Sequence, residues 1–227
     1  YVPEAGWYGW TKKIWSLDEG EHMAQKSAHK TSDKLRAEAL AKLAIGNFPM
    51  ETPTEFRDRV KKFYGFATQS GNSQRLTAMV NEAEPYLRVY SRDFDTHTHM
   101  INVDNGVLDL NAAPDEDNTD SVRLVKHNRN LKLTKMMPVQ YNPAAECPNF
   151  LRFMNDIQPD TEIQNFLQRF FGYCLTGSIS EQVIVMLHGG GANGKSTLMN
   201  LMHKIMGDYA LNLPFASLLN DDKGRGS

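Results

Sequence analysis

The residues best suited to chemistry lie in a glycine-rich run near the C-terminal end of the sequence. This run matches the phosphate-loop pattern G-x-x-x-x-G-K-[ST], in which glycines let successive backbone amides surround phosphate oxygens. In such a loop Lys195, the candidate catalytic residue, would contact the β- and γ-phosphates of a nucleoside triphosphate, and the Ser196 hydroxyl would bind Mg²⁺. The nucleotide-binding candidates are Gly189, Gly190, Gly191, Ala192, Asn193, Gly194, Lys195, Ser196 and Thr197.

Two elements must position this loop. Residues 183–187 form a continuous apolar run, which is typical of the buried central strand of a parallel sheet. After the loop, Leu198, Leu201, Met202 and Ile205 recur at helical spacing. Strand, loop and helix are therefore predicted in the order that a phosphate-loop fold requires, and an ordinary glycine-rich turn with an incidental lysine is the alternative.

The loop does not define a reaction by itself. Hydrolysis also needs an acidic residue that holds the magnesium ion, normally at the end of a second apolar strand. Asp221 and Asp222 follow a stretch that is too short and too polar for such a strand, so we interpret them as loop residues.

The segment before the loop predicts two amphipathic helices. Phe150, Phe153, Met154 and Ile157 mark a short helix, and Asp160 can cap the next one, whose apolar face continues to position 174. A turn-rich connector precedes both helices. We therefore predict a domain boundary between residues 1–145 and 146–227.

The N-terminal residues predict a small aromatic sheet followed by a helix. The aromatic residues between positions 7 and 17 indicate two short strands around a turn. Their rings could stack on unpaired bases, but packing in the core of a small sheet is the favoured interpretation. A helix is predicted over residues 33–45, with Ser32 as its cap and residues 46–47 as its end.

Two further helices follow. Thr52 and Glu55 form a capping box with proline at the first helical position, and Gly65 is the predicted end of that helix. The third helix follows residues 71–73, and Pro85 is its limit.

Beyond residue 100 the pattern changes to β-structure. Residues 102–110 place Asn-Gly between alternating apolar residues, which predicts a hairpin, and residues 114–117 form an acidic loop. Residues 121–137 predict further strands and carry five basic residues with no acid. Because phosphates attract such segments, we predict contact with DNA. The candidates are Arg123, Lys126, Arg129, Lys132 and Lys135.

Composition narrows the class of protein. The 227 residues carry a formal net charge of −2, which argues against a histone-like binder. No apolar run is long enough for a membrane span and no signal peptide is recognisable, so a cytoplasmic protein without a membrane partner is expected. The opening at Tyr1 and the polar final residues 221–227 indicate a fragment.

Several blocks, taken in order, resemble the superfamily-three helicases, in particular the phage and poxvirus primase-helicase branch. The similarity covers roughly residues 75 to 220. The blocks are residues 102–110, residues 138–143, residues 147–150, residues 167–177, the loop with Asn193 before Gly194, and residues 207–210.

The resemblance implies an α+β N-terminal module of the poxvirus type, followed by the beginning of an α/β P-loop (AAA-like) ATPase core. It implies ATP as the nucleotide, a homo-hexameric ring, and translocation along single-stranded DNA to separate replication-fork DNA. A primase or an origin-binding segment is the implied partner. The remaining catalytic acids of the family would lie beyond Ser227, so this chain alone is expected to lack turnover.

Two other classes of function stay open at this point. One is a P-loop enzyme such as a nucleotide kinase or a packaging ATPase, which needs an acceptor pocket and a lid within one subunit. The other is a binding or assembly module whose loop is only structural. The variant Lys195→Ala distinguishes this last class from the enzymes, because nucleotide affinity should hardly change if the loop is only structural.

Overall fold

The computed structural model describes residues 1–45, 51–112 and 122–214. These residues form an α+β structure with six α-helices and two small antiparallel sheets. The chain divides into two compact units. The first comprises residues 1–11 and 15–94, and the second comprises residues 12–14 and the described residues from Asp95 onward. Within the described ranges, no helix is both long enough and apolar enough to span a membrane.

The N-terminal sheet of the first unit confirms the two predicted strands. Strand β1 (Gly9–Trp10) pairs antiparallel with β2 (Trp15–Ser16), and Trp10 lies opposite Trp15. The rings of these two tryptophans are 5.8 Å apart. Each of them is half-buried, so they pack on each other as part of the sheet.

Helix α1 (Gly20–Ile45) begins well before its predicted start at residue 33. The predicted cap Ser32 instead lies inside the helix, buried, with its hydroxyl 3.2 Å from the hydroxyl of Ser70. The sequence hid this because Ala28 and Ala39, which are buried on the same helix, are small and give a weak apolar pattern. The predicted stop at residues 46–47 lies outside the described residues.

Helices α2 (Pro53–Gln69) and α3 (Ser73–Ala83) pack with α1 in the same unit. The capping box is confirmed, since Glu55 N donates to Thr52 Oγ1 and Thr52 N donates to Glu55 Oε2. The predicted end at Gly65 is wrong, and α2 continues for another turn. That turn buries Ala67, which offsets the cost of about 1 kcal/mol for a helical glycine.

The sheet of the second unit confirms the predicted hairpin. Strands β3 (Met100–Val103) and β4 (Gly106–Asp109) pair antiparallel with Val103 opposite Gly106. Strand β5 (Arg123–Val125) adds to β4. Gly106 is needed because a Cβ there would lie 2.5 Å from the backbone oxygen of Val125.

The predicted set of strands over residues 121–137 is only partly correct. Apart from β5, the described part of this segment holds a short 3₁₀ turn (Arg129–Leu131) and a single parallel bridge from Met137 to Val103. Leu133 is buried, as an inward-facing residue should be. The acidic loop at residues 114–117 lies outside the described residues.

Asn102 on β3 is the polar centre of the second unit, with 0 % of its surface exposed. Its Nδ2 donates to the backbone oxygens of Lys13 (3.0 Å) and Lys135 (3.1 Å). Its Oδ1 then accepts from Nδ1 of His127 at 2.9 Å. The Tyr209 hydroxyl accepts from Asn102 N and donates to Lys135 O. We call these five residues the Asn102 hub.

The remaining helices are α4 (Pro148–Ile157), α5 (Thr161–Cys174) and α6 (Lys195–Met206), all close to their predicted positions. Asp160 caps α5 by accepting from Glu162 N at 2.8 Å. Whether a domain boundary lies between residues 145 and 146 stays a prediction.

The buried strand predicted at residues 183–187 is not formed. Ile184 and Met186 are each 86 % exposed. A central parallel strand needs hydrogen-bonded strands on both sides, and no described residues supply one next to this segment. The described residues therefore show no P-loop core beyond the loop and its helix.

The hub generates a stability prediction. Asn102→Asp places a carboxylate oxygen against two backbone carbonyl oxygens, so both donors are lost and a buried charge is created. We expect the free energy of unfolding to fall by about 3 kcal/mol or more, measured by urea titration with far-ultraviolet circular dichroism. The matched control is Asn130→Asp at an exposed position, where a change under about 0.5 kcal/mol is expected. Equal midpoints for the two variants would contradict the role of the hub.

Candidate functional site

The position of the phosphate loop is set by the start of helix α6. Leu198, in the first turn of α6, is 2 % exposed and packs in a buried cluster with Met154 of α4 and Leu167 of α5. The first helical hydrogen bond joins Leu198 N to Gly194 O at 2.9 Å. The apolar cluster therefore holds the amino end of α6, and with it Lys195, at a defined place.

The backbone of the loop is left-handed at three positions. The φ angles are +96° at Gly191, +45° at Ala192 and +79° at Gly194. Such angles turn the chain tightly into the helix, whose free amides carry a partial positive charge. A helix amino end with free amides has the chemistry of an anion site.

Gly194 is fixed by a second constraint besides its φ angle. A Cβ at this position would lie 2.4 Å from Cγ2 of Ile157 and 3.3 Å from Cε2 of Phe153. Both residues belong to α4. The loop therefore rests directly on that helix, and any larger residue at position 194 would displace it.

The Lys195 side chain lies back over the loop. Its ammonium group is 2.5 Å from Oδ1 of Asn193 and 3.4 Å from the backbone oxygen of Gly189. Lys195 is half-buried, whereas Ser196 and Thr197 are exposed. The hydroxyl groups predicted for the magnesium ion and nucleotide are thus accessible at the amino end of α6.

A magnesium ion would need ligands beyond the Ser196 hydroxyl. In the described residues, no three or more His, Cys, Asp or Glu side chains are grouped as for a metal. Mg²⁺ at such loops commonly keeps several waters and binds substrate phosphates with few protein groups. The single hydroxyl fits that mode of binding. Asp221 and Asp222 lie outside the described residues.

The five basic candidates for DNA contact lie in one segment of the second unit. Arg123 is on β5, Arg129 opens the 3₁₀ turn, and Lys132 follows that turn with a φ of +50°. Lys126 and Lys135 are exposed. The backbone oxygen of Lys135 accepts hydrogen bonds from Asn102 Nδ2 and the Tyr209 hydroxyl, which hold this part of the segment in place.

The fold brings acids to this segment that the sequence alone did not reveal. Asp95 Oδ1 accepts from Thr134 N at 2.8 Å, and Asp208 Oδ2 accepts from Met136 N at 3.2 Å. Both aspartates lie outside residues 121–137, so local charge counting missed them. They lower the positive potential around Lys135 and reduce its attraction for phosphate.

A third acid, Asp104, lies beside His127 of the same segment. Hydrogen bonds from the Lys13 ammonium and the Gln140 amide hold the pKa of the Asp104 carboxyl below its ordinary value. Asp104 is therefore ionised at neutral pH. Its charge is shared with Lys13 at 2.5 Å, which leaves Asp95 and Asp208 as the more important acids for the segment.

Comparison with known proteins shows that this sequence is similar to viral proteins with helicase and primase names. The family model described as D5 N terminal like matches residues 1–159. A protein of Acanthamoeba polyphaga mimivirus, provisionally named a helicase, is 30% identical over 121 residues, or 52% of this chain and 12% of that protein. A protein of African swine fever virus (isolate Warthog), provisionally named a primase, is 25% identical over 171 residues, or 73% of this chain and 16% of that protein. The chain thus spans under a fifth of the length of these relatives.

The contact between Gly194 and α4 generates a prediction. Gly194→Ala must adopt an unfavourable φ and push against Ile157, so we expect the free energy of unfolding to fall by about 1 to 3 kcal/mol. Urea titration without nucleotide measures this. Gly190→Ala is the matched control, since no atom lies within 4 Å of its Cβ and its φ is not left-handed. If both variants unfold at the same urea concentration, the loop does not rest on α4.

Proposed function

The chain belongs to the family described as D5 N terminal like, the N-terminal domain of poxvirus and phage primase-helicases, and from this premise we propose that its phosphate loop binds ATP with Mg²⁺ for a replicative DNA helicase. The resemblance to the primase-helicase branch is thereby confirmed. Its relatives carry helicase and primase names, which supports an enzyme as the full-length protein. The activity of the whole protein is part of the proposal.

One observation carries the proposal for nucleotide binding. The left-handed residues Gly191, Ala192 and Gly194 lead directly into the amino end of α6, and Lys195 is its first residue. The free amides, whose partial charges make up the positive end of the helix dipole, and the ammonium group of Lys195 thereby lie in one small region. These two sources of positive charge favour the triphosphate over a neutral ligand.

The residues of the loop have separate tasks in this proposal. The backbone amides bind phosphate oxygens, Lys195 binds the β- and γ-phosphates, and Ser196 binds the magnesium ion. Bound Mg-ATP supplies the phosphoryl group whose transfer to water releases the energy for movement. We place that turnover in the full-length protein, because it also requires an acid and an arginine that the loop does not provide.

The DNA partner is proposed from the basic segment of the second unit. Exposed Lys126, Arg129 and Lys135, together with the half-buried Lys132, would bind the phosphates of single-stranded DNA at the replication fork. A homo-hexameric ring would let several such segments surround one strand. The primase name of the African swine fever virus relative supports cooperation with a primase.

Lys195→Ala tests nucleotide binding. The variant removes charge-assisted hydrogen bonds to the phosphates, each worth about 1.5 to 3 kcal/mol, so we expect the Kd for Mg-ATP to rise about tenfold or more. Isothermal titration calorimetry on the 227-residue chain measures it. Lys204→Ala, in the last turn of the same helix, is the control and should bind like the wild type. Equal affinity for wild type and Lys195→Ala would instead indicate a structural loop.

The double variant Lys132→Glu, Lys135→Glu tests the DNA segment. It removes two phosphate contacts, so single-stranded DNA affinity should fall. The negative slope of log K against log salt should become less steep, by about 1.4 or more. Fluorescence anisotropy with a labelled oligothymidylate over a range of salt concentrations measures both. Lys26→Glu, Lys30→Glu on exposed positions of α1 gives the same change of net charge. An equal loss in both double variants would contradict a specific role for the segment.

A further inference from the structure

We propose that Asn193 is a positioning residue, whose side-chain oxygen holds the Lys195 ammonium group over the loop before a nucleotide arrives. This inference rests on the proposed nucleotide-binding function. It assigns a task to a residue that the phosphate-loop pattern leaves unspecified, because position 193 is one of the four variable positions in G-x-x-x-x-G-K-[ST].

The geometry of the loop supports this task. Asn193 Oδ1 accepts a hydrogen bond from Lys195 Nζ at 2.5 Å, and the charge of the ammonium group strengthens a contact of this kind. The Asn193 Nδ2 atom lies over Gly189, where an added Cβ would come within 2.1 Å of it. The carboxamide therefore lies against both the first glycine of the loop and the lysine.

The number of donors on the lysine shows whether Asn193 positions Lys195 or competes with phosphate for it. An ammonium group has three donors. One donor of Lys195 is directed to Asn193 Oδ1 and a second makes the longer contact with Gly189 O at 3.4 Å. The third is left for a phosphate oxygen. A phosphate can therefore bind Lys195 without displacing Asn193, so the asparagine helps the lysine and does not block it.

Positioning matters because a lysine side chain is flexible. Holding an otherwise free lysine in one arrangement costs rotamer entropy. This entropy is lost when the nucleotide binds, unless the folded protein already holds the side chain in place. With Asn193 in place, part of this loss occurs when the protein folds. Gly189 contributes by leaving room for the carboxamide.

Asn193→Ala tests the inference in the 227-residue chain, with Mg-ATP as the probe and calorimetry as the readout. We expect the Kd to rise about fivefold, less than for Lys195→Ala, since the ammonium group remains but is no longer held. Asn200→Ala replaces an exposed asparagine on helix α6, is the matched control and should bind like the wild type. Thermal unfolding without nucleotide verifies that all variants are folded.

A double-variant cycle separates positioning from a general effect on the loop. If Asn193 acts through the lysine, adding Asn193→Ala to Lys195→Ala should cause no further loss of affinity. Gly189→Ala should reproduce the loss in the wild-type background and have a smaller effect in Asn193→Ala, where only the flexible lysine end lies within 3.2 Å of the new Cβ.

The outcomes distinguish this inference from the proposed function. If the wild type takes up no Mg-ATP, both are overturned. If Lys195→Ala loses affinity but Asn193→Ala binds like the wild type, nucleotide binding stands and the role of Asn193 is overturned. Additive losses in the Asn193, Lys195 double variant also overturn the positioning role, because the asparagine would then act independently of the lysine.

Discussion

The burial of Leu198 between Met154 and Leu167 is the contact on which the candidate site depends. Helix α6 has no carboxylate in its first turn and no side-chain cap, so local sequence does little to fix its amino end. Packing against α4 and α5 fixes it instead. Once Leu198 is buried, Lys195 is one helical turn away, and Gly194 must meet Ile157 of α4. Tertiary packing thus converts a glycine-rich sequence into a loop of defined shape.

This arrangement links the family domain to the phosphate loop, which lies outside the family match. The family match ends at residue 159 and so includes α4 but not the phosphate loop. Because Gly194 rests on α4, the conformation of the loop depends on a helix of the family domain. A movement of Gly194 on phosphate binding would therefore change the packing of Phe153 and Ile157, which are its neighbours on α4.

The elements that the sequence predicted well are those whose information is local. The capping box at Thr52, the cap at Asp160 and the periodic face of α6 each depend on residues within a few positions. The prediction failed where the deciding partner is distant. Residues 183–187 look like a strand, but a strand exists only with a neighbour, and Ser32 looks like a cap until Ser70 is placed against it. The acids Asp95 and Asp208 were missed at the basic segment for the same reason.

The Asn102 hub affects the order in which parts of the chain fold. Its hydrogen bonds join Asn102 to Lys135, Lys13 and Tyr209 across sequence separations of 33, 89 and 107 residues. Long loops must close before any of these bonds can stabilise the chain, and this closure entropy slows formation of the contacts. In the first unit, by contrast, helices α2 and α3 are joined by a short connection. This pair of helices can therefore form early, whereas the sheet around Asn102 is completed later and is exposed for longer to wrong pairings.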